Sequence, residues 1–505
     1  MTARIAALVQ NALAFHRSGN LAAAQDGYRQ VLAADGKNVD ALNLLGAILS
    51  QQGNAQGLEL MSKAVALKPD LKDGHVNLAS AYMSFGRLAD AERHFRKVVA
   101  LAPNDAHAHN NLGGLLLRRE VYPESEACIR RALTLQPDLP SALQNLGALT
   151  EIGGKPELAL PFYDRVAALQ PDNADNHYQR AGLLLSLGRF AEGWPELVWR
   201  FKRRESYGMF GRLKYPYWQG EPLAGKKIMV WTEQGLGEAL LLGSMIPDLL
   251  AQGAAVVLVC PARLVPLFRN AFPAVGFIPT DSGPVDPALK AGVSFQASVS
   301  ELGRWLRPSF AAFPGKAYLT ADGGLTATLR AKYAAVAGGQ RIVGISWRSK
   351  SPGAEAEKNP NLMHWASILK VPGITFVNLQ YGDCREDLST FAREFGVNVV
   401  ADDTVDPMRD LVSFAAQVAA MDLTVSVSNT TVHFAGALGC PAWAMIPSNR
   451  GRPWHWFVDR TDSPWYLRLR LFRQTPAGPW DTVFRDVGQA LAAWTNAPLG
   501  SAAER

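Results

Sequence analysis

The first two hundred residues are written in blocks of helical period, and the blocks recur. "LKPD" closes at Asp70, "LAPN" at Asn104, and "LQPD" at Asp138 and again at Asp172, a step of 34 residues each time. Inside each block a second signature keeps that step: "NLLG" from Asn43, "NLAS" from Asn77, "NLGG" from Asn111 and "NLGA" from Asn145, with "QRAG" from Gln179 in the fifth copy. A glycine turn such as "SFGR" or "SLGR" and a segment such as "DAERHFRKVVAL" complete the unit. This pattern predicts two antiparallel helices per unit, the second ended by a proline that cannot continue it. The block at about 3–36 is degenerate, with Asp35 in the proline position, as terminal repeats often are.

Beyond this point the period changes. Tyr215, Pro216, Tyr217, Trp218 and Gly220 interrupt the helical spacing, and "KKIMVWTE" then reads as a buried strand. The Gly-rich "QGLGEALLLGSMIPDLL" follows, then "AAVVLVC", "GFIPT" and "VSFQASV" as strands, with "ARLVPLFRNAF" as a helix. "AYLTAD" leaves the sheet, and the alternation begins afresh. "RIVGISW", "ITFVNLQYG", "VNVVAD" and "DLTVSVS" read as strands; "MHWASILK", "CREDLSTFAREFG", "MRDLVSFAAQVAAM" and "VHFAGALG" read as helices. Strands alternating with helices predict parallel sheets covered on both faces. The expected organisation is an all-α repeat superhelix over 1–204 and a linker at 205–225. Two Rossmann-like α/β domains at 226–335 and 336–495 and a flexible tail at 496–505 complete it.

Size and composition agree with several folded domains. A chain of 505 residues is too long for one core, and 48% hydrophobic with 19% charged residues is globular rather than disordered. The net charge of +6 fits an anionic small molecule as well as it fits nucleic acid, and a solvated basic surface is a simpler reading than either. Cys128, Cys260, Cys384 and Cys440 form no CxxC pair, and no HExxH is present, so neither a disulfide framework nor a metal site is expected. The opening "MTARIAALVQNALAFHRSGN" lacks a signal-peptide pattern, and no apolar run is long enough to span a membrane. The expectation is a cytoplasmic protein with no bound cofactor, no membrane span and no nucleic-acid partner.

The candidate chemistry lies where strands meet helices. Ser428, Asn429, Thr430 and Thr431 stand between "LTVSVS" and the next helix, with His433 one turn in. Hydroxyls beside a helix N-terminus suit phosphate oxygens. A plain N-cap is the simpler reading, but one cap needs only one such residue. Arg348, Lys350 and Lys358 follow the first strand of the second α/β domain and can neutralise charge on a leaving diphosphate, unless they are ordinary solvated loop residues. In "QGLGE", Gly235 and Gly237 precede Glu238, either a general base or a carboxylate complementing the helix dipole. The third glycine of a dinucleotide fingerprint is missing there, which argues against an NAD oxidoreductase. Asp402, Asp403 and Asp406 read as helix-capping residues. The column Asn43, Asn77, Asn111 and Asn145 recurs on one face; it can hold the backbone of a bound polypeptide, or pack between repeats.

The 34-residue unit is the tetratricopeptide pattern. Joined to two Rossmann-like halves, it resembles the protein O-glycosyltransferases of the GT-B fold over nearly the whole chain. "NLMHWASILKVPGITFVNLQYG" resembles a stretch of O-GlcNAc transferases preceded by a diphosphate-contacting lysine, for which Lys358 is the match; Gln380 and Tyr381 lie within it. "SNTTVHFAGALG" is similar to their diphosphate loop and to a bacterial form with aspartate where Ser428 stands. "QGLGEALLLGSMIPDL" resembles the "GLGD" loop of bacterial relatives and heptosyltransferases, with Glu238 at the aspartate position. "DRTDSPWYLRLRLFRQ" resembles the C-terminal signature of repeat-bearing enzymes, several of which modify flagellin. The resemblance implies metal-independent, inverting transfer of a sugar from a nucleotide donor to Ser or Thr of a protein held by the repeats, flagellin being the leading acceptor. Two alternatives stand beside it: a repeat scaffold with an inactive catalytic half, and a transferase acting on a saccharide or lipid-linked acceptor.

Overall fold

The computed structural model describes residues 2–203, 214–233, 235–280, 286–349, 359–448, 453–476 and 478–497. The chain divides into two compact units: Met1–Thr150 with Pro161–Asp172, and Glu151–Leu160 with Asn173–Arg505.

The first unit is a row of helical hairpins. Val39–Gln51 pairs with Gln56–Leu67, Lys72–Ser84 with Leu88–Leu101, and Ala106–Arg118 with Tyr122–Leu135. The hairpin turns need a left-handed residue, which Gly19, Gly53 and Gly86 supply at φ of 76°, 78° and 73°. In the hairpin of Ala106–Arg118 and Tyr122–Leu135, Glu120 takes that conformation at 62°. Small residues set how closely the helices of a pair approach. A Cβ on Gly113 would lie 2.6 Å from the Ile129 side chain, and one on Gly46 would lie 2.7 Å from Met61. Asp105 caps its helix by accepting from the His107 and Ala108 N–H groups.

The second unit holds two all-parallel sheets. Strands β1 (Lys227–Trp231), β2 (Ala255–Cys260), β3 (Gly276–Pro279) and β4 (Val293–Ser298) pair in the order β3-β2-β1-β4. Strands β5 (Arg341–Ser346), β6 (Ile374–Asn378), β7 (Leu423–Val427), β8 (Ala442–Ile446) and β9 (Leu469–Arg473) pair in the order β6-β5-β7-β8-β9. Both are orders of doubly wound sheets, whose ligand crevices open at the carboxyl ends of the strands where the winding reverses. Those points fall between β1 and β4 and between β5 and β7. The strand expected in "VNVVAD" is only a bridge, Val400 beside Val377 at the β6 edge.

The division between compact units also falls elsewhere than the composition break at 205–225. The last repeat, with helices Ala174–Ser186 and Phe190–Leu197, shares one buried core with both sheets. Trp194 Nε1 donates to the Arg307 carbonyl at 2.9 Å, and the Phe190 ring lies 5.0 to 5.9 Å from those of Phe310, Phe313 and Phe457. Aromatic burial therefore makes the fifth repeat part of the α/β unit. Of the expected linker, 205–213 lies outside the described residues. Its described part is docked: Tyr217 bridges to Gln296 on β4, and Trp218 is buried. The tail from 498 onward lies outside the described residues.

Candidate functional site

At the carboxyl ends of β5 and β7, two side-chain amides hold the backbone in place. Asn429 is the N-cap of the Thr430–Ala437 helix. Its Oδ1 accepts from the Thr431 N–H at 2.9 Å and from the Ser426 hydroxyl at 3.0 Å. Its Nδ2 donates to Ser346 Oγ at 2.7 Å and to the Arg348 carbonyl at 3.0 Å. Gln380 does the same from the end of β6: its Oε1 accepts from the Ser346 hydroxyl and from the Trp347 and Arg348 N–H groups at 2.8 to 3.1 Å. The Ser428 hydroxyl accepts from Trp456 Nε1 at 2.8 Å. Thr431 is fully buried, whereas Thr430 is half-buried and its hydroxyl has no protein hydrogen-bond partner among the described residues. His433 is stacked on Trp456 and shares a 3.0 Å hydrogen bond with the Tyr466 hydroxyl, whose pKa burial pushes well above the usual phenol range.

At the ends of β1 and β4 the site is ionic. Arg200, in the 3-10 turn Val198–Lys202 that ends the last repeat, is 3% exposed. Its guanidinium is ion-paired with Glu233 and donates to Ser300, whose hydroxyl donates on to Glu233 at 2.9 Å. Glu301 accepts from the Ser298 N–H at 2.9 Å. Burial raises the pKa of Glu301, against the bonds from Ser298. Glu238, in the first turn of the Leu236–Gly243 helix, is pushed up to about 7 by burial, with Glu233 adding to the rise and Arg200 opposing it.

The two crevices meet. A Cβ built on Gly237 would lie 2.8 Å from His433 Cδ2 and 3.5 Å from Thr430 Oγ1. The first turns of the two helices therefore touch, and only a glycine permits that approach. Two helix N-termini, each with unpaired N–H groups and partial positive charge, converge beside a carboxyl that titrates near neutrality. The arrangement can hold an anion and accept a proton next to it.

Most of the sequence-predicted residues are brought together, but several are occupied. Gly237, Thr430 and His433 meet at the helix contact, Glu238 follows Gly237 in the first turn of the Leu236–Gly243 helix, Gly235 is the N-cap residue of that helix, and the Thr431 hydroxyl is buried toward the Leu379 carbonyl. Arg348, expected as a cation facing a diphosphate, is turned to the Arg385–Phe395 helix: it pairs with Asp387 at 2.6 Å and donates to the Asp383 carbonyl just before that helix. Gln380, Ser428 and Asn429 spend their polar atoms on the protein itself, and Tyr381 lies half-buried just past Gln380. Lys350 and Lys358 lie outside the described residues. Asp402 caps no helix; it accepts from Lys332 and the Tyr333 hydroxyl, both at 2.7 Å. In the asparagine column, Asn77 Nδ2 donates to Asn43 Oδ1 at 3.2 Å, while Asn145 donates at 2.9 Å to Asn110 rather than to Asn111. Repeat-to-repeat bonding thus uses part of that face. Sequence reasoning missed Arg200, Glu233, Trp456 and Tyr466. The only trace of Arg200 is its place in "WRFKRR" at the end of the last repeat.

Comparison with known proteins bears first on the helices. Residues 9–70 match the tetratricopeptide-repeat family model. Residues 75–201 match the model of the cilia and flagella-associated protein 70 middle TPR-like domain. The N-terminal helices are tetratricopeptide repeats. The chain is also 31% identical over 335 residues to Protein FlbA of Caulobacter vibrioides, covering 63% of this chain and 55% of that protein. It thus spans about half the length of this curated relative. A match of that extent is longer than the repeats and takes in part of the α/β region. Among solved structures, a tetratricopeptide repeat protein from Parabacteroides merdae is 19% identical, with 40% of this chain and 80% of that chain covered and a TM-score of 0.35. A thermophilic repeat protein of Thermus thermophilus is 22% identical, with 36% and 99% covered and a TM-score of 0.32. Likeness at that level carries no argument. No helix among the described residues is long and apolar enough to cross a membrane.

Proposed function

We propose that this chain is a GT-B glycosyltransferase that moves a sugar from a nucleotide donor to a hydroxyl of a protein acceptor, flagellin being the leading candidate. The observation that carries the reading is the contact of the two strand-end crevices at Gly237, which lies against His433 and Thr430, with Glu238 the next residue in the chain. In this reading the donor diphosphate lies at the start of the Thr430–Ala437 helix, where N–H groups and the free Thr430 hydroxyl receive its oxygens. The acceptor oxygen bonds to the anomeric carbon as the carbon–phosphate-oxygen bond breaks. The nucleotide leaves with that electron pair, and the acceptor proton passes to Glu238. A carboxyl titrating near 7 is suited to that transfer at neutral pH. The family resemblance adds Lys358 as a diphosphate contact, and the tetratricopeptide repeats supply a protein-binding surface.

A second reading, a repeat scaffold with an inactive α/β half, draws support from the capture of Arg348 by Asp387 and of Ser428 by Trp456. Intact-mass measurement of flagellin and total protein from wild-type and deletion cells separates the two. Transfer predicts acceptor masses lower in the deletion strain by whole sugar residues. Identical masses, with no nucleotide bound by the purified full chain in calorimetry, overturn the enzymatic reading.

A further inference from the structure

We propose that Tyr466 is a positioning residue: its hydroxyl donates to His433 Nδ1, holds the imidazole proton on Nε2, and so makes His433 a neutral hydrogen-bond donor to the phosphate of a bound nucleotide. This rests on the reading of the Thr430–Ala437 helix as the donor-diphosphate site. A Cβ built on Gly436 would lie 2.3 Å from Tyr466 Cγ, so only a glycine there lets the phenol ring seat on that helix. From that seat the hydroxyl reaches one turn back, to His433 Nδ1 at 3.0 Å. Both side chains are buried, Tyr466 at 1% and His433 at 5% exposure. Trp456 stacks on the imidazole at 5.2 Å with 12° between the planes, and its own Nε1 is tied to the Ser428 hydroxyl. His455 and Tyr466 meet the imidazole edge-on, at 5.1 and 5.9 Å between ring centres. These contacts give the ring one orientation.

Which nitrogen of a neutral imidazole carries the proton is set by the hydrogen bond that the other one makes. Among the described residues the Tyr466 hydroxyl has one hydrogen-bond partner, His433 Nδ1. If Nδ1 carried the proton, the phenol proton would be buried without an acceptor, at the cost of its full desolvation. Burial also raises the Tyr466 pKa well above the usual phenol range, so the hydroxyl keeps its proton. The phenol therefore donates, Nδ1 accepts, and the imidazole proton sits on Nε2. The Cδ2–Nε2 edge is the one that faces the other crevice. A Cβ on Gly237 would lie 2.8 Å from His433 Cδ2, 3.5 Å from its Nε2 and 3.5 Å from Thr430 Oγ1. Nε2 and the Thr430 hydroxyl thus converge where the first turns of the two helices meet. Ionised phosphate oxygens only accept hydrogen bonds. A lone pair on Nε2 would repel them, whereas Nε2–H binds them with no charge on the ring.

The test pairs nitrogen-15 NMR of labelled histidine in the full-length protein, assigned with His433→Gln, with calorimetric titration of UDP, GDP and CMP. At pH 8 the wild type should show the Nε2–H tautomer. Tyr466→Phe keeps the ring on Gly436 and removes the hydroxyl alone. It should abolish the single tautomer and raise the nucleotide Kd about fivefold. His433→Ala should raise the Kd about tenfold, and the double variant should bind no more weakly than His433→Ala, because Tyr466 acts through the imidazole. Additive losses would make Tyr466 a packing residue and overturn the proposal. A proton on Nδ1 in the wild type, or a Kd that ignores Tyr466→Phe, would overturn it as well. If Tyr466→Phe does not fold, the wild-type tautomer and the His433→Ala affinity still decide. Failure of the underlying reading looks different: a wild type that carries the Nε2–H tautomer and binds none of the three nucleotides overturns the donor site itself.

Discussion

At the ends of β5 and β7, the amides of Gln380 and Asn429 are filled by protein groups, whereas at the ends of β1 and β4 a buried guanidinium, Arg200, is ion-paired with Glu233. Among the described residues the first crevice is held by neutral amides and preorganised. Its amides tie Ser346, Arg348 and the start of the Thr430–Ala437 helix into one edge. The second is charged, and burial raises the pKa of Glu238 and of Glu301 there. A fixed neutral cradle suits binding of a group whose charge does not change. A buried carboxyl with a raised pKa suits a step in which a proton moves. The division of labour follows from which polar atoms each crevice has left over.

The largest expected effect breaks the charged side. Glu238→Gln keeps the size of the side chain and removes its proton acceptance. Transfer should fall by about 10² to 10⁴-fold with donor affinity nearly unchanged, read by turnover at saturating donor beside calorimetry. Equal losses in both would assign Glu238 to binding. Stability gives a second readout. The folded-state pKa of about 7 lies above the ordinary 4.5, so the folded protein carries the extra proton between those values. Its stability therefore falls as pH rises through that window. Glu238→Gln should remove that slope, gaining on the order of 2 kcal/mol on wild type between pH 5 and pH 8 in urea unfolding.

The neutral side breaks differently. Asn429→Ala deletes four hydrogen bonds at once and leaves the Arg348 carbonyl and the Thr431 N–H without their side-chain partner. A loss of about 3 kcal/mol in unfolding free energy is expected, with donor binding falling along with it. A variant as stable as wild type would mean that water replaces the amide and that the edge is not rigid.

How much of this was legible follows from where each interaction comes from. The 34-residue step and the strand–helix alternation are written in local order, so the repeats and both parallel sheets could be read directly from Asn43 to Asn145 and from "KKIMVWTE" to "DLTVSVS". The strand-to-helix junctions at Thr430 and Glu238 were legible because a strand end followed by a helix is itself a local signal. Arg348 was misread because its partner, Asp387, lies 39 residues away on a helix whose placement the sequence pattern does not give. Arg200 was missed for the same reason. Nothing near "WRFKRR" says that a repeat ends inside a sheet crevice, since that pairing depends on Trp194 and Phe190 docking on residues more than a hundred positions later. "VNVVAD" failed in the other direction: a strong local strand pattern meets the β6 edge at one bridge only.

The smallest effect is the one that sharpens the comparison most. Thr430 and Thr431 are adjacent and chemically identical, yet among the described residues the Thr430 hydroxyl has no protein partner, while Thr431 is buried, with its Oγ1 3.5 Å from the Leu379 carbonyl. Thr430→Val keeps the branched shape at the first helical position and removes that hydroxyl alone. Because nothing in the protein depends on it, unfolding free energy should stay within about 0.5 kcal/mol of wild type. Because a hydrogen bond to a charged phosphate is lost, the donor Kd should rise about tenfold. Calorimetric titration and urea unfolding of the same preparation read both quantities. A drop in stability would show that the hydroxyl serves the fold, as those of Ser346 and Ser428 do. An unchanged Kd would move the diphosphate away from this helix, and with it the assignment of binding to the neutral crevice and proton transfer to the charged one.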